Sequence, residues 1–290
     1  MATLRQINRR IKSIQSTAKT TRAMSLVAGS KMRRAQLLAL AHRPYADQLQ
    51  SLLADVVHSL EAAAGDAEHM MHPLLARREN KTPAIILLTS DRGQVGGMNT
   101  NLIRVAGNFV TTHADTKLIA VGRKGNDFFR RAGTEIIGSF TRLGDYPGFE
   151  DVRPIAKVAA DAFISGEVDS VSIVYPRFVN TVVQRPELQA LLPAQPPADD
   201  DAESDEYIFE PSAQSVLESL LPRYFDIQVY RAILELAASE QSARMVAMRN
   251  ATDAAQEMVQ NLTLVRNKVR QEQITKELLD ITGGVEAMSK

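Results

Sequence analysis

The fold of this chain is decided by residues 217–273, LESLLPRYFDIQVYRAILELAASEQSARMVAMRNATDAAQEMVQNLTLVRNKVRQEQ. Steps of three and four residues from Leu217 reach seventeen positions, and twelve of them are apolar. Pro222 is the only proline between Leu217 and Met288, and no glycine occurs before Gly283. A period of about 3.5 residues over this length predicts a left-handed coiled coil. Roughly 70 helical residues would form a rod on the order of 100 Å long, which we expect to project from any compact domain.

A second helix of the same kind is predicted at the start of the chain. The same spacing holds up to Ala39, and a wider apolar stripe follows Pro44, where we expect a kink or a change of packing. The first stripe comprises Leu4, Ile7, Ile11, Ile14, Ala18, Thr21, Ser25, Ala28, Met32, Ala35 and Ala39. Many of these side chains are small or polar, so the two helices can approach closely but bury little apolar area. We therefore expect surrounding structure to support the rod.

Between the two helices the sequence predicts an α/β domain with a small, mostly parallel sheet. Short β-rich apolar runs alternate with helical segments, as is typical of such sheets. The predicted strands are Ala84–Thr89, Lys117–Val121, Val171–Tyr175 and, more weakly, Thr134–Phe140, and the predicted helices lie near Asn99–Thr112, Gly125–Arg131 and Val152–Ser165. The predicted division is a helix over 1–60, a connection over 61–81, the α/β domain over 82–206 and a helix over 207–290. Residues 193–205, rich in Pro and Asp, predict an exposed, mobile loop.

Composition excludes several classes of site. The chain has no cysteine, so disulfides, thiolate nucleophiles and Cys-based metal sites are excluded. No run of 18 apolar residues is present, and the N-terminus lacks the pattern of a secretory signal. The five histidines show no metal-ligand spacing, and the pair His69 and His72 is interpreted as part of a surface loop. We predict no catalytic residue, no cofactor and no metal.

Charge is strongly segregated although the formal net charge is zero. Residues 1–46 contain ten Lys or Arg and no acid, whereas residues 199–210 contain seven acids and no base. A basic block of this kind implies an acidic partner. Three interpretations remain open from the residues alone: a nucleic-acid surface, a mitochondrial transit peptide, or a basic collar that meets an acidic protein surface. The absence of interleaved aromatics argues against the first, and the continuous helical spacing argues against the second.

The stretch SDRGQVGGMNTN, residues 90–101, follows a predicted strand and precedes a predicted helix. Glycine-rich turns at helix N-termini can bind phosphate. This one matches neither GxGxxG nor GxxxxGK[ST], so a tight strand-to-helix turn is the favoured interpretation.

Four stretches resemble the gamma subunit of F-type ATP synthases. They are residues 11–36 (IKSIQSTAKTTRAMSLVAGSKMRRAQ), the turn at 90–101, residues 242–255 (SARMVAMRNATDAA) and residues 274–284 (ITKELLDITGG). Their order is that of the family, and they span nearly the whole chain. The bacterial form is favoured, since the match begins within the first residues and leaves no transit peptide.

The resemblance implies a non-catalytic central rotor stalk that supports proton-driven ATP synthesis or the reverse ATP-driven pumping. It implies an antiparallel coiled coil inside an alpha-beta hexamer, and a globular part that meets the epsilon subunit and the membrane ring of c subunits. It also implies a peripheral membrane protein on the cytoplasmic side of the bacterial plasma membrane.

The resemblance further implies a set of partner-binding residues. The N-terminal stretch that resembles the family's bearing region, here called the bearing stretch, contributes Arg22, Met24, Lys31 and Arg33. The C-terminal helix contributes Arg244, Met245, Gln271, Thr275 and Glu277. Tyr207 and Glu210 are expected near the c ring. For Met24 the alternative is ordinary packing in the seam. Two other classes of function stay open: a nucleotide-binding α/β enzyme, which the missing phosphate-loop lysine disfavours, and a free-standing coiled-coil adaptor or nucleic-acid binder.

Overall fold

The computed structural model describes residues 3–63, 72–76, 78–79, 81–194 and 209–288. Tyr207 and residues 195–205 of the predicted loop lie outside this part. The helices are α1 (Leu4–Ala63), α2 (Met98–Thr112), α3 (Arg123–Ala132), α4 (Phe149–Ile164) and α5 (Ala213–Met288), with a short 3-10 helix at Pro73–Leu75. The strands are β1 (Pro83–Leu88), β2 (Lys117–Val121), β3 (Ile136–Phe140), β4 (Ser170–Phe178) and β5 (Gln184–Leu192).

Two compact units make up the chain. The first, the helix-pair unit, combines Met1–Ala28 with Met245–Lys290, and the second, the sheet unit, comprises Gly29–Arg244. The long terminal helices and the central α/β region predicted from the sequence are thus confirmed, and α1 and α5 each contribute residues to both units. Pro44 and Pro222 lie inside α1 and α5, and both helices continue beyond them.

The sheet has the order β3-β2-β1-β4-β5. The first four strands are parallel, as predicted, and β5 pairs antiparallel with β4. β1 is buried along its whole length, as expected of a central strand in a sheet covered by helices on both faces. The order reverses between β1 and β4, so the loops after the parallel strands gather at one edge of the sheet.

β5 is the element that the sequence did not predict. Of its residues, QRPELQALL, four of the first six are polar and one is Pro186, so they lack the apolar run of a central strand. The strand lies at the edge of the sheet, where a proline is tolerated because no further strand needs its N–H. Among the described residues, the Glu187 carboxylate also accepts hydrogen bonds from the Tyr175 hydroxyl and the Arg177 guanidinium on β4, each at 3.3 Å.

The core of the sheet unit includes parts of both terminal helices. Apolar residues of the sheet and of α4 pack with residues from the second half of α1 and the first half of α5. These helical residues are Leu53 and Val56 on α1 and Leu217, Leu221, Phe225, Val229 and Ile233 on α5. Leu53 and Val56 of the wider apolar stripe predicted after Pro44 therefore belong to this core, whereas Leu49 of the same stripe packs with Ile227 of α5 in a smaller cluster.

Candidate functional site

The seam of the helix-pair unit is closed by small and hydroxyl-bearing side chains. The hydroxyls of Thr21 and Thr252 lie 2.6 Å apart, so one donates a hydrogen bond to the other. The Ser25 hydroxyl donates to the Met245 backbone carbonyl at 3.1 Å. These two contacts show that the segments run antiparallel, because a higher number on α1 meets a lower number on α5. Thr21, Ser25 and Thr252 thus each have a hydrogen-bond partner across the seam.

The four bearing-stretch residues have different surroundings. Arg22 and Arg33 are exposed, while Met24 and Lys31 are half-buried. Arg22 and Met24 belong to the helix-pair unit, and Lys31 and Arg33 belong to the sheet unit. The Lys31 ammonium forms an ion pair at 2.7 Å with Asp145, a contact that the sequence did not reveal.

Arg244 and Met245 both make contacts with other residues of the chain. The Arg244 guanidinium forms an ion pair with Glu240 at 2.7 Å, and it donates to the Gln241 side chain at 3.3 Å and to the Gly93 carbonyl at 3.4 Å. Burial raises the pKa of the Glu240 carboxyl, and the Arg244 guanidinium opposes that rise. The Met245 side chain is half-buried, and only its backbone carbonyl has a described role, as the acceptor for Ser25.

The last part of α5 exposes an apolar stripe next to the predicted residues Gln271, Thr275 and Glu277, which are exposed themselves. The stripe consists of Ile274, Leu278, Leu279 and Ile281, which are 49%, 58%, 66% and 63% exposed. The register that sets Thr21 opposite Thr252 places the first residue of α1, Leu4, about level with Val269. This stripe was not identified from the sequence, although its apolar residues follow a 3-4 spacing past Val269, the residue level with the start of α1.

Glu210 is exposed and lies shortly before the start of α5. Tyr207, predicted beside it, is outside the described residues.

The turn after β1 is held by its own hydrogen bonds. Ser90 N–H donates to the Asn99 side chain at 3.1 Å, and the Asn99 amide donates back to the Ser90 hydroxyl at 2.8 Å. The Asp91 carboxylate accepts the backbone N–H groups of Arg123 at 3.0 Å and Arg142 at 2.8 Å. Since these polar groups stabilise the loops at the edge of the sheet, the arrangement supports the strand-to-helix turn rather than a phosphate site.

No metal-binding group of three or more His, Cys, Asp or Glu occurs among the described residues. The His72 ring accepts the Leu74 N–H at 3.1 Å and so caps the short 3-10 helix. Within the described part of the chain, no helix has both the length and the apolar character needed to cross a bilayer.

The chain is similar to known proteins over its full length. The protein-family model described as ATP synthase matches residues 3–288. The ATP synthase gamma chain of Dehalococcoides mccartyi is 49% identical over 290 residues, covering 100% of both chains. That of Roseiflexus castenholzii is 43% identical over 296 residues, again covering 100% of both chains.

Solved structures share the fold. A chain in the cryo-EM structure of the Euglena gracilis mitochondrial ATP synthase, OSCP/F1/c-ring, has a TM-score of 0.65 at 19% identity, with 98% of this chain and 94% of that chain covered. A chain in the Tetrahymena thermophila mitochondrial ATP synthase central stalk and c ring has a TM-score of 0.61 at 22% identity, with 80% and 99% covered. This chain therefore belongs to the ATP synthase gamma chain family, which supplies the rotor stalk of the F-type ATP synthase and not its catalytic subunit.

Proposed function

We propose that this chain transmits torque between a membrane c ring and an alpha-beta hexamer, with the helix-pair unit enclosed by the hexamer. The observation that supports this best is the exposed apolar stripe at the end of α5, Ile274, Leu278, Leu279 and Ile281. Contiguous exposed apolar side chains mark protein-binding surfaces. An apolar sleeve at one end of a hexamer is a partner that would bury this stripe.

The asymmetry of the helix pair provides the mechanism. Two antiparallel helices have no threefold symmetry, so each beta subunit of a near-threefold hexamer meets a different face of the pair. A face that binds one conformation of a beta subunit more tightly shifts the population toward that conformation. Rotation of the helix pair then moves each beta subunit in turn through its open, loose and tight states.

Basic side chains supply the electrostatic part of this interface. Arg22 and Arg33 are exposed on α1, in a stretch without any acid up to Ala46. They are placed to attract acidic loops of the beta subunits, and salt screens such attraction. The predicted contacts of Gln271, Thr275 and Glu277 belong to the same surface as the apolar stripe.

The sheet unit and the start of α5 are proposed to meet the epsilon subunit and the c ring. Glu210 is exposed where the chain enters α5, which is the position expected of a contact with the ring. The protein would then be held peripherally at the cytoplasmic face of the bacterial plasma membrane through the complex.

The test of this function is Met24→Lys, with Met24→Leu as the matched control. Met24 is half-buried on α1, and its flexible, uncharged thioether can contact a moving neighbour without holding it. A lysine at this position would form a new ion pair with acidic loops of the beta subunits. That ion pair would hold the helix pair in one rotational position. We expect the ratio of ion pumping to ATP hydrolysis to fall several-fold in Met24→Lys vesicles and to stay unchanged in Met24→Leu.

A proportional fall of hydrolysis and pumping in Met24→Lys would contradict the role of Met24 as a bearing contact. Reduced assembly with unchanged coupling would instead show that Met24 is an ordinary seam residue.

A further inference from the structure

The loop between β3 and α4, residues 141–148, is bonded to both long helices inside the sheet unit. The two carboxylate oxygens of Asp145 have different partners. Oδ2 accepts from the Lys31 ammonium of α1 at 2.7 Å, and Oδ1 accepts from the Gln241 amide of α5 at 3.0 Å. A single side chain therefore joins the sheet to α1 and to α5.

Two neighbours of Asp145 repeat this arrangement. The Arg34 guanidinium of α1 lies over the Tyr146 ring, 4.6 Å from its centroid, at a distance typical of a cation–π contact. The Tyr230 hydroxyl of α5 donates to the Pro147 carbonyl at 3.4 Å. Consecutive residues of the loop thus contact α1 and α5 by directional interactions.

The loop is also anchored to the edge of the sheet. The Arg142 N–H donates to Asp91, which also accepts from the Arg123 N–H at the start of α3. The turn that contains Asp91 is itself bonded to α5, because the Arg244 guanidinium donates a hydrogen bond to the Gly93 carbonyl. Force applied to α5 can therefore reach the sheet through two separate hydrogen-bonded routes.

Directional bonds matter here because they add a further resistance to turning beyond that of apolar packing. Burial of apolar area is itself non-directional, so without such bonds only the interlocking shapes of the side chains oppose movement of a helix against the sheet. Charge-assisted hydrogen bonds lose their strength when the geometry changes. Gln241 is only 3% exposed, which protects its bond to Asp145 from competition by water.

We infer that Asp145 is a positioning residue for torque transfer, which fixes both helices against the sheet. This inference rests on the proposed rotor function. Turning the sheet relative to the helices would have to break bonds to α1 and α5 together, so the sheet and the helix segments of this unit rotate as one body.

The test is a charge swap in the complete complex, reconstituted into vesicles. The variants are Asp145→Lys, Lys31→Asp and the double exchange, and the control is Lys81→Glu, which reverses a charge in the exposed pair with Glu79. Each single reversal places like charges together, and we expect ions pumped per ATP hydrolysed to fall about twofold or more. The double exchange restores the ion pair with α1 but leaves the Gln241 amide without its carboxylate acceptor, so this ratio should recover only in part toward that of the control.

Single reversals that keep the control ratio in each assembled complex would overturn the inference, as would a double exchange that couples no better than either single reversal. A purely structural role would also overturn it, since it would lower the yield of complex without changing ions pumped per ATP. Failure of the rotor function itself would look different, because vesicles with the hexamer and c ring but without this chain would then couple normally.

Discussion

Gly122, between β2 and α3, shows how closely single residues are constrained. Its φ is 87°, and a Cβ at this position would lie 1.9 Å from the Thr89 carbonyl oxygen. The Thr89 hydroxyl donates to the Val121 carbonyl at 3.0 Å, so the close approach holds β1 and β2 together at their ends. We expect Gly122→Ala to lower the free energy of unfolding by about 3 kcal/mol, from backbone strain plus steric overlap. Urea denaturation of the isolated chain measures this.

The matched control is Gly133→Ala, at the end of α3. Gly133 has a similar φ of 78°, but no atom lies within 4 Å of the added Cβ. Only the left-handed conformation is penalised there, at about 1 kcal/mol. An equal loss of unfolding free energy in the two variants would show that the close approach to Thr89 does not affect stability.

At the scale of residues, sequence reasoning did not reveal the contacts that predicted partner-binding side chains make within the chain. Lys31 and Arg244 were predicted to bind partners, and the structure shows each of them in an ion pair within the chain, with Asp145 and Glu240. Asp145 had no sequence signal, because its neighbours Lys31 and Gln241 are about a hundred residues away along the chain. Such pairings depend on how the helices pack on the sheet, which periodicity does not encode. Their roles toward other subunits stay predictions.

At the scale of elements, the hydroxyl pair of the seam is open to a double-mutant cycle. Thr252→Val keeps the shape of the side chain but leaves the Thr21 hydroxyl without its partner across the seam, and we expect a loss of about 1 kcal/mol. Adding Thr21→Val removes both hydroxyls and should recover most of that loss. Chemical denaturation of the isolated chain, followed by helical circular dichroism, measures the coupling. Strict additivity of the two changes would contradict a hydrogen bond between the threonines.

The apolar stripe of α5 is tested by the double variant Ile274→Asp/Leu278→Asp. Both side chains are exposed in the isolated chain, so we expect its stability to change by less than about 0.5 kcal/mol. Binding to the alpha-beta hexamer should weaken by about tenfold or more, because the partner would have to bury two charges. Val182→Asp, 69% exposed at the β4–β5 connection, is the control for an exposed apolar residue elsewhere. Unchanged hexamer binding by the double variant would exclude the stripe from the interface.

Elements with strong periodicity were predictable, and the edge of the sheet was not. The long helices keep a 3-4 apolar spacing over many turns and the strands β1, β2 and β4 are rich in apolar residues, and the weaker β3 also appears, starting at Ile136 rather than Thr134. β5 was missed because four of its first six residues are polar and one is a proline. Pairing with β4, not its own composition, makes this segment a strand.

At the scale of the whole molecule, charge segregation predicts how the protein associates. The net charge is zero, so the attraction depends on the basic stretch of residues 1–46 rather than on the chain as a whole. We expect the association rate with the alpha-beta hexamer to fall as salt rises from about 50 mM to about 500 mM. Arg22→Glu/Arg33→Glu should flatten that dependence, whereas Ile274→Asp/Leu278→Asp should leave it steep. Stopped-flow binding distinguishes these outcomes, and an identical salt dependence in all three proteins would contradict the basic stretch as the source.

The general architecture followed from the sequence because its two periodicities occupy separate regions. A 3-4 spacing at both ends and short apolar runs between them predict helices around an α/β centre, and the structure confirms this. The sequence did not show that the second half of α1 and the first half of α5 would join the sheet in one unit. Residues such as Leu53 and Phe225 fit a coiled-coil seam and a sheet-facing core equally well.

The threonine and serine seam gives the helix pair a mechanical property. Short side chains interlock less deeply than leucines do, so they resist shear between two helices less strongly. Hydrogen bonds such as those made by the Thr21 and Ser25 hydroxyls can lengthen and re-form without exposing apolar side chains to water. We therefore expect the helix pair to twist more readily under torque than a leucine seam of equal length would.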